Sequence, residues 1–108
     1  MIVWIRGQSK SGKTTLGKKM QSCMKNAIRL DGDDMRTVWK IGLTKEDRWE
    51  HNIRIAKLAK LLDDQGVDVI VSVICPYLDL KKQVQEITKC YFIELEGGII
   101  HPDYPYET

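Results

Sequence analysis

Residues 2–15 read Ile-Val-Trp-Ile-Arg-Gly-Gln-Ser-Lys-Ser-Gly-Lys-Thr-Thr. Ile2 to Arg6 is a short β-rich run that stops at Gly7, the pattern of a buried strand ending in a turn. Residues 7–14 fit G-x-x-x-x-G-K-(S/T), and from Lys13 the chain turns helical, with Leu16, Met20, Cys23 and Met24 spaced for one face. Gly7 and Gly12 permit backbone conformations that aim successive N–H groups at phosphate oxygens. The start of a helix adds its partial positive charge. In this pattern Lys13 bridges the β- and γ-phosphates and the Thr14 hydroxyl ligates Mg²⁺. The phosphate-binding stretch is Gly7, Gln8, Ser9, Lys10, Ser11, Gly12, Lys13, Thr14 and Thr15. Lys10 stands where many such loops have a small residue, and its plainer reading is a solvated charge.

Working outward, strands and helices alternate. Asn26 is a plausible helix stop, and Ala27 to Leu30 reads as a second strand ending at an acidic turn, Asp31-Gly32-Asp33-Asp34. A short helix follows through Trp39, ended by Gly42. Thr44-Lys45-Glu46-Asp47 fits an N-cap followed by acids in a first turn. Ile55, Leu58, Ala59 and Leu62 then make an apolar stripe, closed by Gly66. Val67 to Ile74 reads as a strand covered on both faces, Leu80 to Lys89 as a helix, Tyr91 to Leu95 as a last strand. The alternation predicts an α/β fold, a short parallel sheet with helices on both faces. Ligands in such sheets sit beyond the C-terminal strand ends, where Gly7–Thr14, Asp31–Asp34 and Ile74–Tyr77 should gather.

The 108 residues suit one domain, and no linker or repeat divides them. Seventeen Lys and Arg against fifteen Asp and Glu leave a formal charge of +2, so no global field points to nucleic acid or a membrane surface. The longest apolar run is interrupted by Asp68 and Ser72, too short and too polar to span a bilayer. The N-terminus has no basic segment ahead of its apolar stretch, so a signal peptide is not expected. Three cysteines without C-x-x-C spacing argue against a disulfide framework or zinc site and for a reducing cytoplasm.

Beside a phosphate loop, the acidic turn has two available tasks. One carboxylate, Asp31, can order the water shell of Mg²⁺. Another, Asp33, can take the proton of an attacking hydroxyl. The plainer reading is a turn that caps a helix.

Several segments together resemble the adenylylsulfate kinase family. They are GQSKSGKTT (Gly7–Thr15), LDGDDMR (Leu30–Arg36), GLTKEDRWEHNIRIAKLAKL (Gly42–Leu61), VSVICPY (Val71–Tyr77) and YPYE (Tyr104–Glu107). The resemblance covers almost the whole chain in order. It implies a three-layer P-loop kinase fold. It further implies transfer of a phosphoryl group from ATP, with Mg²⁺, to the 3′-hydroxyl of adenosine 5′-phosphosulfate. On the matching positions it implies that Asp33, Asp34 and Arg36 lie at the adenylylsulfate site. Arg48 is a second anion-binding arginine, and Ile74 contacts the nucleotide. A forked guanidinium matches oxyanions. The plainer reading of Arg48 is a surface charge paired with Asp47 or Glu50. The partners implied are small nucleotides, with room for a homodimer.

Four departures from the family pattern stand out. Leu43 replaces an aromatic residue that packs on the substrate adenine; leucine packs but cannot stack. His51 aligns with a family asparagine, and Asn52 follows one residue late, about 100° around a helix of 3.6 residues per turn. Either His51 replaces the contact or the contact is lost; its plainer reading is a solvent-facing position. Cys75 stands where the family has a serine labelled as a phosphoserine site, a role it cannot reproduce; it reads as a small buried residue. No Lys or Arg follows Lys89, where the family has a basic lid, so lid cations are expected only from Lys10 or a partner chain. These departures keep two further readings open: a P-loop kinase for another nucleotide or sugar acceptor, and a nucleotide-binding module with little catalysis.

Overall fold

The computed structural model describes residues 1–100 and 105–108. Tyr104, part of the YPYE match, lies outside the described residues. Four strands, β1 (Ile2–Arg6), β2 (Ile28–Asp31), β3 (Val69–Val73) and β4 (Tyr91–Glu94), form one parallel sheet in the order β2-β3-β1-β4. Between them run α1 (Lys13–Cys23), α2 (Gly32–Trp39), α3 (Lys45–Asp64) and α4 (Leu78–Ile87).

The strand order dictates the layers. From β1 the chain moves to β2 at one edge, then returns to β3 and crosses β1 to reach β4. Right-handed crossovers moving in opposite directions place their helices on opposite faces. Accordingly Val3, Ile5 and Ile70 face Leu16, Met20 and Met24 of the α1 segment. Ile2, Trp4, Val69 and Val71 face Ile55, Ala56 and Ala59 of α3 and Leu80 and Val84 of α4. The period-2 alternation of a strand sorts β1 between the two cores. At Gly17 an added Cβ would lie 2.8 Å from Ser72 Oγ, so this glycine lets α1 sit tightly on β3.

Capping sets the helix starts. Thr44 accepts from Asp47 N at 3.0 Å, and Asp47 Oδ2 accepts from Thr44 N at 3.4 Å, a reciprocal capping box. The expected apolar stripe of α3 packs inward, with Gly66 in the left-handed region (φ 83°) just past its end. Three local expectations need correction. The acidic turn is the first turn of α2, because Asp31 Oδ1 accepts from Asp33 N at 3.0 Å and caps the helix. Lys40 (φ 51°), not Gly42, takes the left-handed position after α2. Cys23 is exposed rather than part of the inner face of α1. No described helix is long and apolar enough to cross a membrane.

Candidate functional site

The chain turns in opposite directions from β1 and β3, so a crevice opens above their C-terminal ends. Two adjoining cavities occupy it. The first, about 490 Å³, is lined by Ser9, Lys10 and Gly12–Thr15 of the phosphate loop. Asp31, Gly32, Asp33 and Arg36 face them, with Ser72, Val73 and Ile74 between. The second, about 220 Å³, is bordered by Gln8, Ser9, Asp33, Arg36, Leu43, Arg48, His51, Asn52, Ile74 and Cys75. Ile99, Pro105 and Tyr106 complete its rim. Asp33 and Arg36 border both.

The loop has the conformation its glycines permit. Gly12 has φ 97° and the exposed Lys10 has φ 58°. The Lys13 ammonium donates to Gln8 O at 2.6 Å across the loop. Burial lowers the Lys13 pKa, with the charges of Asp33 and Asp31 opposing that shift. The Ser11 hydroxyl is buried without a hydrogen-bond partner among the described residues and packs inward against Gly7, outside both cavities. The Gly7 backbone is buried beneath the loop, against Leu95.

Thr14 Oγ1 donates to Asp31 Oδ2 at 2.6 Å, and Arg29 Nη1 lies 3.6 Å from the same oxygen. Asp31 therefore both caps α2 and faces the phosphate loop. Thr14 and Asp31 form an all-oxygen pair suited to a hard divalent cation completed by water and phosphate. No cluster of three or more His, Cys, Asp or Glu that could hold a metal occurs among the described residues.

The expected acceptor residues divide. Arg36 Nη1 donates to Gly42 O at 2.5 Å and so ties α2 to the loop that carries Leu43. Arg48 lies with its guanidinium 5.6 Å from the Tyr77 ring centroid, and Tyr77 stacks on Trp49. Glu50 pairs with Arg54 at 3.0 Å, and Asp47 belongs to the capping box. Leu43 and Ile74 border the second cavity as partly exposed apolar side chains. Asp34 borders neither cavity, because one further step around α2 carries it past the cleft that Asp33 faces.

His51 borders the second cavity, and its plainer reading as a solvent-facing residue needs correction. It is fully buried, and both ring nitrogens are engaged within the protein. Trp39 Nε1 donates to Nδ1 at 2.8 Å, so Nε2 carries the proton and donates to Gly32 O at 2.9 Å. Burial, helped by the Arg36 charge, lowers its pKa to about 4. His51 thus locks α2 against α3 as a neutral imidazole. The neighbouring Asn52 donates from Nδ2 to Arg48 O at 2.9 Å, while its buried Oδ1 has no partner among the described residues.

Sequence reading missed Asn52, Ile99 and Tyr106 as cavity residues. Tyr106 carried a signal, since it lies in the YPYE match. Ile99 carried none: its place follows from Ile99 N donating to Ser9 O at 2.7 Å, a contact between distant segments.

The family model described as Adenylylsulphate kinase matches residues 1–103. The chain belongs to the adenylylsulfate kinase family. A probable adenylyl-sulfate kinase of Archaeoglobus fulgidus is 34% identical over 100 residues, covering 83% of this chain and 64% of that protein. Another relative, a cytidine diphosphoramidate kinase of Campylobacter jejuni, is 34% identical over 96 residues, covering 84% and 56%. Among solved structures, the Mycobacterium tuberculosis APS kinase CysC in complex with AMPPNP and APS superposes with a TM-score of 0.70. It is 31% identical and is covered over 86% of this chain and 59% of that one. The chain therefore spans a little over half the length of these family members. The expected three-layer P-loop kinase fold is the one observed.

Proposed function

We propose that this protein is a phosphotransferase that moves the γ-phosphoryl group of ATP to the 3′-hydroxyl of adenosine 5′-phosphosulfate, yielding 3′-phosphoadenosine 5′-phosphosulfate. One observation carries the reading. Asp33 and Arg36 border both the phosphate-loop cavity and the second cavity, so a donor in one and an acceptor in the other meet at these two side chains.

Each residue then has a task. The loop amides, the α1 N-terminus and Lys13 hold the triphosphate. Thr14 would hold Mg²⁺, with Asp31 ordering its water shell; the ion would neutralise phosphate charge as the bond to the leaving oxygen breaks. Asp33 accepts the proton of the acceptor hydroxyl. Arg36 and Arg48 hold the acceptor's anionic end. Leu43 and Ile74 pack on its apolar surfaces, with His51 supporting α2 from beneath. The free cysteines fit a reducing, cytoplasmic setting, and the proposed product would give the protein a part in sulfate assimilation.

A second acceptor class has specific support. Leu43 supplies no aromatic ring for adenine, and the similarity to the Campylobacter jejuni kinase extends over 84% of this chain. Consumption of labelled ATP with magnesium, with and without adenosine 5′-phosphosulfate, and then with cytidine diphosphoramidate, tests both. Product only with the former supports the first reading, and product only with the latter replaces it. Nucleotide binding without turnover on either would make the protein a binding module.

A further inference from the structure

Arg6 is the last residue of β1, yet it does not face the phosphate loop that follows. Strand alternation puts it on the same face as Ile2 and Trp4, and it is 1% exposed. A cation there needs partners, since an uncompensated buried charge is costly. Its partners come from three distant segments. Nε donates to Cys75 O at 2.7 Å, Nη1 donates to Glu94 Oε2 at 3.1 Å, and Nη2 donates to Glu107 O. The Tyr106 ring covers the guanidinium, 4.4 Å from its carbon to the ring centroid.

The segment that Arg6 grips is held at two further points. Glu107 N donates to Pro76 O at 2.8 Å. Glu107 Oε1 accepts from Leu78 N at 2.8 Å, where a carboxylate also favours the start of α4. Pro105 and Tyr106 form one wall of the second cavity, while Arg6 itself borders neither cavity.

We propose that Arg6 is a positioning residue that holds the 105–107 segment as a wall of the acceptor cavity, so that its loss weakens the acceptor and spares ATP. The acceptor half of this statement rests on the proposed kinase reading. Arg6 acts through Tyr106 and Glu107, and its apolar neighbours on that sheet face are Trp4 and Val73, with Glu94 held by Lys81 as well. Arg6→Met should therefore fold, with Glu94 keeping Lys81 at 2.8 Å.

The test combines amide exchange with calorimetry. In Arg6→Met, exchange at the Leu78 and Glu107 amides should rise about tenfold or more while Val71 in β3 is unchanged. The Kd for adenosine 5′-phosphosulfate should rise about tenfold, with the Kd of an ATP analogue within about twofold of wild type. Tyr106→Ala, a change outside the core, should reproduce the split in affinities, and Tyr106→Phe, which keeps the ring over Arg6, should restore it. Unchanged exchange at Leu78 and Glu107 in a folded Arg6→Met would overturn the clamp. Raised exchange with unchanged acceptor affinity, or equal loss for both ligands, would overturn the wall. Should Arg6→Met not fold, Arg6→Lys, which keeps the charge and loses the forked donors to Cys75 O and Glu107 O, takes its place, and unchanged exchange at Leu78 and Glu107 in it would overturn the clamp. A wild-type protein that binds the ATP analogue but not adenosine 5′-phosphosulfate would sink the acceptor reading alone, and the exchange result would still decide the clamp.

Discussion

Thr14 and Asp31 meet through a 2.6 Å hydrogen bond, joining the last residue of the phosphate motif to the carboxylate that ends β2. The same carboxylate caps α2 through its other oxygen. Asp31→Asn keeps a capping acceptor but gives up the ion pair with Arg29, so the protein should stay folded with a lowered thermal midpoint. It lowers the charge beside Thr14, so more magnesium should be needed for half-maximal rate. A magnesium titration of initial rates reads this, and an unchanged midpoint of that titration would confine Asp31 to capping.

Lys13 reaches across the loop to Gln8 O and lies at the mouth of the first cavity. Lys13→Ala should weaken ATP binding by about 1.5–3 kcal/mol, the range for a lost charge-assisted hydrogen bond. Its melt should hardly move. Calorimetry with an ATP analogue checks this, and unchanged affinity would remove the loop from nucleotide binding.

The two arginines should separate. Arg48 borders only the second cavity, whereas Arg36 borders both. Arg48→Ala should therefore cost about 1.5–3 kcal/mol of acceptor affinity and leave ATP alone, while Arg36→Ala should weaken both. Kd values for each ligand on each variant give the comparison. Equal losses for Arg48→Ala would argue against two distinct cavities.

Much of this was legible in residues alone, for identifiable reasons. The phosphate loop, the capping box at Thr44 and the β-branched run of β3 are local patterns, and local hydrogen bonds or burial enforce them. The start of α2 was less legible because Asp-Gly-Asp-Asp has the chemistry of both a turn and a cap. Only the approach of Asp33 N to Asp31 decides for the cap. The roles of His51 and Arg6 were not legible. Each depends on partners on other elements, Trp39 and Gly32 for the first, and Cys75, Glu94 and Glu107 for the second. An Arg at a strand end and a His on a polar-looking helix turn carry no mark of burial.

His51 should leave its trace in the pH dependence of stability. Its pKa is lowered to about 4 by burial and by Arg36, below the ordinary 6.5. Between those values the unfolded chain binds the proton and the folded chain does not, so stability falls as pH drops from about 6.5 to about 4. At about 1.36 kcal/mol per pKa unit, the loss would approach about 3 kcal/mol. Urea unfolding of wild type and His51→Gln across this window measures it. An identical pH slope in both would show that His51 is not the group that titrates.

The most direct test of the account lies at Asp33, the carboxylate where the two cavities meet. Phosphoryl transfer depends mainly on positioning and charge, and a carboxylate in reach of the acceptor hydroxyl orients it and takes its proton. The decisive measurement is kcat for phosphoryl transfer from labelled ATP to adenosine 5′-phosphosulfate, in wild type and in Asp33→Asn, with ATP affinity and a melt recorded on both. The account predicts turnover in the wild type and a fall in kcat of about 10²–10⁴-fold in a folded, ATP-binding variant. A near-normal kcat in folded Asp33→Asn would contradict it.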